Sequence, residues 1–136
     1  MFAITEKIRK LLELTDLVLL DIKHINPEKC KELVGVSNKL ELAFANFLSH
    51  TGKPIWIRQV IVPEITDDEK DLIDLKHFIE SLRTVEKVEL LPYHNIGKTK
   101  WENLGYNYPL EDVRTATADD IKRVKEILNL DETMLQ

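Results

Sequence analysis

The feature that most constrains the fold of this chain is a repeated alternation between short apolar runs and amphipathic helical segments. The apolar runs cover residues 17–22, 55–62 and 85–91. The first run is too short and too continuously apolar for a helix, and it predicts a strand buried on both faces. Helical crossovers between the runs imply parallel strands joined by right-handed βαβ units. The order α-β-α-β-α-β-α is typical of a doubly wound sheet or of part of a β/α barrel.

Start and stop signals mark the predicted helices. Asn26 followed by Pro27 predicts the beginning of a short helix, because an asparagine side chain caps free backbone N–H groups and proline has no N–H to leave unpaired. Gly35 is predicted to end this helix. Further helix starts are predicted at Ser37, at Thr66 with Glu69, and at Thr117 with Asp120.

Length and charge limit the class of protein. The chain has 136 residues, the size of one domain, and we expect residues 1–136 to form a single domain. A net charge of −5 with no basic block argues against binding to nucleic acid. No apolar run approaches the ~20 residues of a transmembrane helix and no signal peptide opens the chain. The sequence therefore predicts a cytoplasmic protein without membrane contact.

Cysteine and histidine usage narrows the chemistry further. Cys30 is the only cysteine, so no intramolecular disulfide can form, and the chain alone lacks the several thiolates that an iron–sulfur cluster needs. In its polar helical context Cys30 is predicted to be a bystander rather than a nucleophile, because a reactive thiolate needs a partner. His24, His50 and His77 show no paired metal-ligand spacing and are predicted to have no functional role. The last two are expected at the surface.

Polar residues follow the apolar runs at the carboxyl ends of the predicted strands. Asp21 and Lys23 follow the first run, two residues apart and so on one face, and His94 follows the third. Parallel strands place all three at the same sheet edge, where α/β proteins bind ligands. Asp21 and Lys23 are predicted either to form a salt bridge or to bind a polar ligand. Arg58, within the second run, is predicted either to occupy a solvent-exposed edge or to bind a carboxylate.

The longest stretch without a helix or strand pattern covers residues 93–116. Its 95–109 portion mixes glycine, lysine and aromatic residues. This composition is typical of a lid or a partner-binding segment. The alternative is a loop that covers part of the core.

Several segments of the sequence resemble a known family. The segments "LTDLVLLDIKHINPEKCKELVGVSN", "WIRQVIVPEITDDE" and "VEKVELLPYHNIGKTKWENLG", followed by Tyr106 and Tyr108, are similar to the carboxyl-terminal half of the pyruvate formate-lyase activating enzyme family. The resemblance spans nearly the whole chain, in order. It implies an α/β fold of parallel β/α units, a partial TIM-type barrel made of the last three units of the six-unit radical SAM barrel.

The resemblance also implies a reaction and its cofactors. Members of the family bind S-adenosylmethionine and a 4Fe-4S cluster, and reductive cleavage of S-adenosylmethionine gives a 5′-deoxyadenosyl radical. This radical abstracts hydrogen from a glycine of pyruvate formate-lyase. Matched residue by residue, Asp21, Ile22 and Lys23 are implied to line S-adenosylmethionine, with Lys23 donating to its ribose. His94 is implied to reach the same cofactor, and Arg58 its methionyl end.

A monovalent cation site is implied by the same resemblance. Asp21 and the backbone carbonyl of Leu19 match positions that the family associates with such an ion.

The chain departs from the family pattern in one large respect. The CxxxCxxC motif, the glycine-rich second strand and the third strand of the superfamily are absent. The chain therefore resembles a fragment, and alone it is predicted to be inactive. Three strands cut from a barrel would leave two open edges and an exposed inner face, which predicts a homodimer.

Two functions follow as expectations. The first is a part of an activating enzyme whose 95–109 segment contacts pyruvate formate-lyase or a related glycyl-radical enzyme. The alternative is a non-catalytic β/α half-barrel that binds a small anion, a nucleoside or a protein partner.

Overall fold

The structure, a computed structural model, describes residues 5–94, 110, 113–131 and 134–135. The described residues form five helices and three strands. In chain order these are α1 (Glu6–Glu13), β1 (Val18–Asp21), α2 (Pro27–Val34), α3 (Lys39–His50), β2 (Ile55–Ile61), α4 (Glu69–Ser81), β3 (Val85–Pro92) and α5 (Ala118–Leu128). None of the described helices is long and apolar enough to cross a membrane.

The three strands form one parallel sheet in the order β1-β2-β3. This order and direction confirm the predicted parallel β/α arrangement. On one face of the sheet, Leu20, Ile57 and Val88 are in register and buried. Apolar residues of three helices pack in the same cluster: Ala45 and Leu48 of α3, Leu72, Leu75 and Ile79 of α4, and Val124 and Leu128 of α5. Because burying one such side chain contributes about 1.5–3 kcal/mol, this face carries the main hydrophobic core.

The opposite face of the sheet is more polar and more open to solvent. Leu19 of β1 is in register with Trp56 of β2, and Trp56 with Lys87 of β3. Leu19 is 55% exposed, so the prediction that the first strand is buried on both faces is wrong. In a β/α barrel the face away from the helices lines the barrel interior. We call it the inner face of the sheet.

The boundaries of α2 and α5 follow their capping signals. The Asn26 side chain accepts the Lys29 N–H at 3.0 Å, and Pro27 is the first residue of α2. Gly35 ends α2 with a left-handed backbone, φ 90°, which glycine adopts without steric penalty. At α5, Thr117 and Asp120 form the predicted capping box.

The predicted cap of α3 is wrong by one residue. Its N-cap is Asn38, whose side chain makes no capping hydrogen bond. The Ser37 hydroxyl still accepts the Lys39 N–H, at 3.3 Å.

The predicted capping box of Thr66 and Glu69 at α4 is also wrong. The N-cap of α4 is Asp68. The Thr66 hydroxyl instead accepts the Val62 N–H at 2.7 Å and donates to the Val60 carbonyl at 3.0 Å. Thr66 therefore closes the turn that follows β2.

The carboxyl terminus of the chain lies along part of the outer edge of β3. The Val88 N–H donates to the Met134 carbonyl at 2.8 Å, and Leu135 forms a parallel bridge with Val88. The expectation of two open edges is therefore wrong for this part of β3.

A second apolar cluster lies at the carboxyl ends of β2 and β3. Its buried members are Leu33, Val62, Tyr93 and Leu110. The Tyr93 hydroxyl donates to the Leu110 carbonyl at 3.1 Å, which ties the chain after β3 to the segment before α5. The 95–109 segment, for which a partner contact is predicted, lies outside the described residues.

Candidate functional site

A row of charged residues crosses the inner face of the sheet. Asp21 of β1 is in register with Arg58 of β2, and Arg58 with Glu89 of β3. In-register residues of neighbouring parallel strands point to the same face, so the three side chains form a row of alternating charge. This row lies one layer beyond Leu19 toward the carboxyl ends of the strands. Ligands bind at these ends in parallel α/β folds.

Arg58 is paired within the row. Its Nε lies 3.1 Å from Oε2 of Glu89, and the two side chains are 37% and 33% exposed. Nε makes no well-aligned hydrogen bond, so the contact is an ion pair held by charge. Because β2 is the central strand, the alternative of an exposed edge position is wrong. Arg58 does contact a carboxylate, and that carboxylate belongs to Glu89.

Glu89 also contacts a second cation. Lys87 Nζ lies 3.9 Å from Oε1 of Glu89 and 4.7 Å from the centroid of the Trp56 ring. A cation over an aromatic face gains about 0.5–2 kcal/mol, depending on how far it is removed from water. Glu89 is therefore fixed between two cations, which in turn fixes Arg58.

Lys23 and His94 lie at the same end of the sheet, on either side of β2. Lys23 is half-buried just past β1, and its backbone carbonyl accepts the Gln59 side-chain amide at 3.4 Å. His94 is exposed, two residues past β3. Strands are about 4.8 Å apart, so the ends of β1 and β3 are separated by roughly 10 Å. This span suits one elongated ligand rather than a direct contact between the two residues.

Within the described residues, no strand pairs with β1 on the side away from β2. Val18 donates its N–H to the Pro54 carbonyl, just before β2, at 3.1 Å, and Ile22 donates to the Arg58 carbonyl of β2 at 2.9 Å. Because alternate residues of a parallel strand bond to opposite sides, the carbonyl of Leu19 points away from β2. Within the described part of the chain, no group of three His, Cys, Asp or Glu side chains could hold a metal ion. A cation site at Asp21 and Leu19 stays a prediction.

His24 is a residue of this region that sequence reasoning missed. It is 2% exposed, and Nε2 lies 2.9 Å from the Ile65 carbonyl. The Asn26 N–H donates to Nδ1 at 3.1 Å. A carbonyl can only accept and an N–H can only donate, so the ring is neutral with its proton on Nε2. Burial lowers the pKa of His24, against the opposing effects of the Ile65 hydrogen bond and the nearby Asp71 carboxylate.

The Asn38 side chain, at the N-cap of α3, bonds to the backbone of His24 and Ile25. Its Nδ2 donates to the carbonyls of His24 and Ile25, at 2.9 and 2.6 Å. Both partners are acceptors, which fixes the orientation of the amide. Oδ1 has no hydrogen-bond partner among the described residues, although Asn38 is 2% exposed. A buried unpaired acceptor costs about 1–3 kcal/mol of stability, so the two donated bonds form in spite of this cost.

A buried carboxylate lies beside His24. Asp71 of α4 is 2% exposed, with Oδ2 2.6 Å from Lys29 Nζ and 3.8 Å from His24 Nε2. The hydrogen bond with Asp71 raises the pKa of Lys29. His24 and Lys29 line a cavity of about 260 Å³ whose other lining residues are Glu32, Leu33, Glu64, Ile65 and Asp68.

Cys30 lies in the same region but has no reactive surroundings. It is 3% exposed, and burial raises the pKa of its thiol, with the Glu41 carboxylate adding to the effect. A buried thiol of raised pKa is a poor nucleophile and a poor metal ligand, as the bystander interpretation requires.

Solved structures with a similar fold include a domain of an activating enzyme and a radical SAM methyltransferase. A domain of the pyruvate-formate lyase-activating enzyme of Bacteroides vulgatus matches with a TM-score of 0.73 and 21% identity, over 92% of this chain and 69% of that one. A radical SAM methyltransferase of Sphaerobacter thermophilus matches with a TM-score of 0.57 and 15% identity, over 87% of this chain and 32% of that one. The fold is therefore that of a partial β/α barrel, as predicted.

Two relatives found by sequence carry the same enzyme name. The pyruvate formate-lyase-activating enzyme of Streptococcus mutans is 49% identical over 124 residues, covering 91% of this chain and 47% of the relative. That of Listeria monocytogenes is 45% identical over 123 residues, covering 90% and 50%. This chain is therefore a relative of pyruvate formate-lyase-activating enzymes, which confirms the resemblance seen in the sequence. It spans about half the length of the curated relatives it matches. No protein-family model matches it.

Proposed function

We propose that this chain is the carboxyl-terminal half of a pyruvate formate-lyase-activating enzyme and forms one wall of its S-adenosylmethionine site. The observation that carries the proposal is the row of Asp21, Arg58 and Glu89 across the inner face, beside Lys23 at the end of β1. The row occurs in a chain that is 49% identical to an enzyme of that name.

The polar groups of this wall fit S-adenosylmethionine. The cofactor has ribose hydroxyls, a carboxylate and an ammonium group. Asp21 accepts from hydroxyl or ammonium hydrogens, whereas Lys23 and Arg58 donate to hydroxyl or carboxylate oxygens. His94 adds a ring nitrogen at the far side of β2. Bound and reduced, the cofactor supplies a 5′-deoxyadenosyl radical in this class of enzyme.

The iron–sulfur cluster does not fit the residues of this chain. A 4Fe-4S cluster needs several thiolates, and the sequence contains one cysteine, which is buried. We therefore assign the chain no step that involves the cluster, and we expect it to be inactive alone. Its own residues bind and orient: Glu89 holds Arg58 in place, and Asp21 and Lys23 fix the ligand at the end of β1.

The partner of the assembled enzyme is proposed to be pyruvate formate-lyase or a related glycyl-radical enzyme in the cytoplasm. The 95–109 segment is the proposed contact, and residues 1–136 act as one domain. Replacing 95–109 by an unrelated loop of equal length is expected to weaken docking to pyruvate formate-lyase. Docking of unchanged affinity would contradict this assignment.

Calorimetric titration with S-adenosylmethionine tests the proposed site. We expect weak binding that is lost in Lys23→Ala and in His94→Ala. Lys70→Ala and His77→Ala are matched controls, because both residues are exposed on α4, away from the site. These controls are expected to bind like the unmodified chain.

Two outcomes would contradict the proposal. One is a folded chain that binds no S-adenosylmethionine at millimolar concentration. The other is binding that the control variants weaken as much as the site variants do. If phosphate or adenosine binds as tightly as S-adenosylmethionine, and Lys23→Ala does not change this binding, the alternative of a non-catalytic β/α module is favoured.

A further inference from the structure

The segment that follows β1, residues 22–26, is held by contacts from three other parts of the chain. This strand-end segment carries Lys23. Its backbone accepts two hydrogen bonds from Asn38, on the His24 and Ile25 carbonyls. The Ile22 N–H donates to the Arg58 carbonyl at 2.9 Å. The conformation of the segment therefore depends on residues well separated from it in sequence.

The His24 ring supplies the third contact. Nε2 donates to the carbonyl of Ile65, in the turn after β2, while Nδ1 accepts the N–H of Asn26 within the segment itself. The ring thus ties the segment to the turn after the neighbouring strand. Both ring nitrogens and both amide hydrogens of Asn38 are used for this purpose.

The position of Asn38 favours a dedicated role over helix capping. Asn38 occupies the N-cap of α3, where asparagine normally bonds to free N–H groups of the helix. Its side chain makes no such bond. It turns instead toward the strand-end segment, although its Oδ1 has no partner among the described residues. A residue that served only α3 would use Oδ1 in the cap.

We propose that Asn38 and His24 are positioning residues that fix the strand-end segment, so that Asp21 and Lys23 face one ligand. The identity of that ligand as S-adenosylmethionine rests on the proposed function. The positioning of the strand-end segment by Asn38 and His24 does not rest on the proposed function, so the two proposals can be tested separately.

Amide hydrogen exchange tests the geometry without any ligand. Asn38→Ala and His24→Phe remove the side-chain bonds, and we expect the Ile22 and Asn26 amides to exchange about tenfold faster in each variant. His24→Gln keeps a donor for the Ile65 carbonyl and is expected to restore most of the protection at Ile22. Ser49→Ala, which removes the bond that the Ser49 hydroxyl accepts from the Arg83 N–H at the other end of α3, is the control for general loss of stability.

Calorimetry then tests the effect on the ligand. We expect S-adenosylmethionine affinity to fall about tenfold in Asn38→Ala. Ser49→Ala, whose lost hydrogen bond lies at the other end of α3, should leave the affinity unchanged. Equal losses of affinity in Asn38→Ala and Ser49→Ala would overturn the positioning role.

The two experiments separate the two proposals. If the unmodified chain does not bind S-adenosylmethionine, the proposed function fails, whereas faster exchange at Ile22 still supports the positioning role. Unchanged exchange at Ile22 in Asn38→Ala, or an equal change in Ser49→Ala, would overturn the positioning role whether or not the ligand binds.

Discussion

At the scale of single residues, a buried neutral histidine makes the stability of the chain depend on pH. The folded chain lowers the pKa of His24 below its ordinary value of 6.5, chiefly by burial. Between the lowered pKa and 6.5 the unfolded chain binds more protons than the folded one, so stability falls as pH falls through this window. Protonation would also place a proton on Nδ1 against the Asn26 N–H. The charged groups near the ring are Asp71, Lys29 and Asp68.

Urea unfolding at a series of pH values below 7 measures this dependence. We expect the free energy of unfolding of the unmodified chain to fall more steeply than that of His24→Gln, which has no titrating ring at this position. Parallel curves for the two proteins would show that His24 does not contribute.

The ion pair between Lys29 and Asp71 is a second residue-scale contribution to stability. Asp71 is buried, whereas the Lys29 side chain is 45% exposed. Lys29→Met would leave a buried carboxylate without its cation, and we expect a loss of about 1–3 kcal/mol. Lys31→Met, at an exposed position of the same helix, is expected to change stability by less than about 0.5 kcal/mol. Equal losses in the two variants, measured by urea unfolding, would contradict this account.

The sequence predicted where a residue lies on the sheet when its position along a strand was sufficient information. Parallel order alone places Asp21, Lys23 and His94 at one end of the sheet. His24 was missed because its partner Ile65 lies 41 residues away, and no local sequence pattern predicts that contact. Asn38 was missed because asparagine before a helix ordinarily indicates a cap.

At the scale of secondary-structure elements, the predicted capping side chain marks the start of a helix unless a buried backbone group takes its hydrogen bond. Thr117 and Asp120 form the predicted capping box, because Asp120 accepts the Thr117 N–H and the Arg114 side chain at the same time. Thr66 does not cap α4, since the buried Val62 N–H takes its hydroxyl. Sequence periodicity therefore located every helix and strand named above. It could not locate every cap, because a cap also depends on which nearby backbone groups need a hydrogen-bond partner.

The capping box of α5 gives a prediction at this scale. Thr117→Ala removes the hydroxyl that accepts the Asp120 N–H, and we expect a loss of about 1 kcal/mol. Arg114 adds to the box: its hydrogen bond holds the pKa of Asp120 well below the usual 3.8. Lys122→Ala, at an exposed position within α5, is the control and should change stability by less than about 0.5 kcal/mol. Thermal unfolding with no difference between the two variants would contradict the assignment.

At the scale of the whole molecule, the described helices cover one face of the sheet and leave the other open. The inner face carries the exposed Leu19, the partly exposed Trp56 and the charged row. β1 is an outer strand of the sheet whose Leu19 carbonyl points away from β2, whereas β3 is partly covered by Met134 and Leu135. No other described strand pairs with the outer edge of β1, and such an edge beside exposed apolar surface favours association. The resemblance to part of a barrel predicted an open sheet, but the sequence did not predict that Met134 and Leu135 cover part of the β3 edge.

The open edge of β1 leads to the last prediction, a dimer of two chains that meet through β1 and the inner face. Light scattering at high concentration is expected to give about twice the 15.8 kDa of one chain. Leu19→Lys places a charge at the centre of this contact and should shift the equilibrium to the monomer, because charged side chains on an edge strand oppose pairing. Leu40→Lys is the matched control, since Leu40 is 61% exposed on α3. A mass of 15.8 kDa at every concentration would rule out the dimer, and equal dissociation by both variants would place the contact elsewhere.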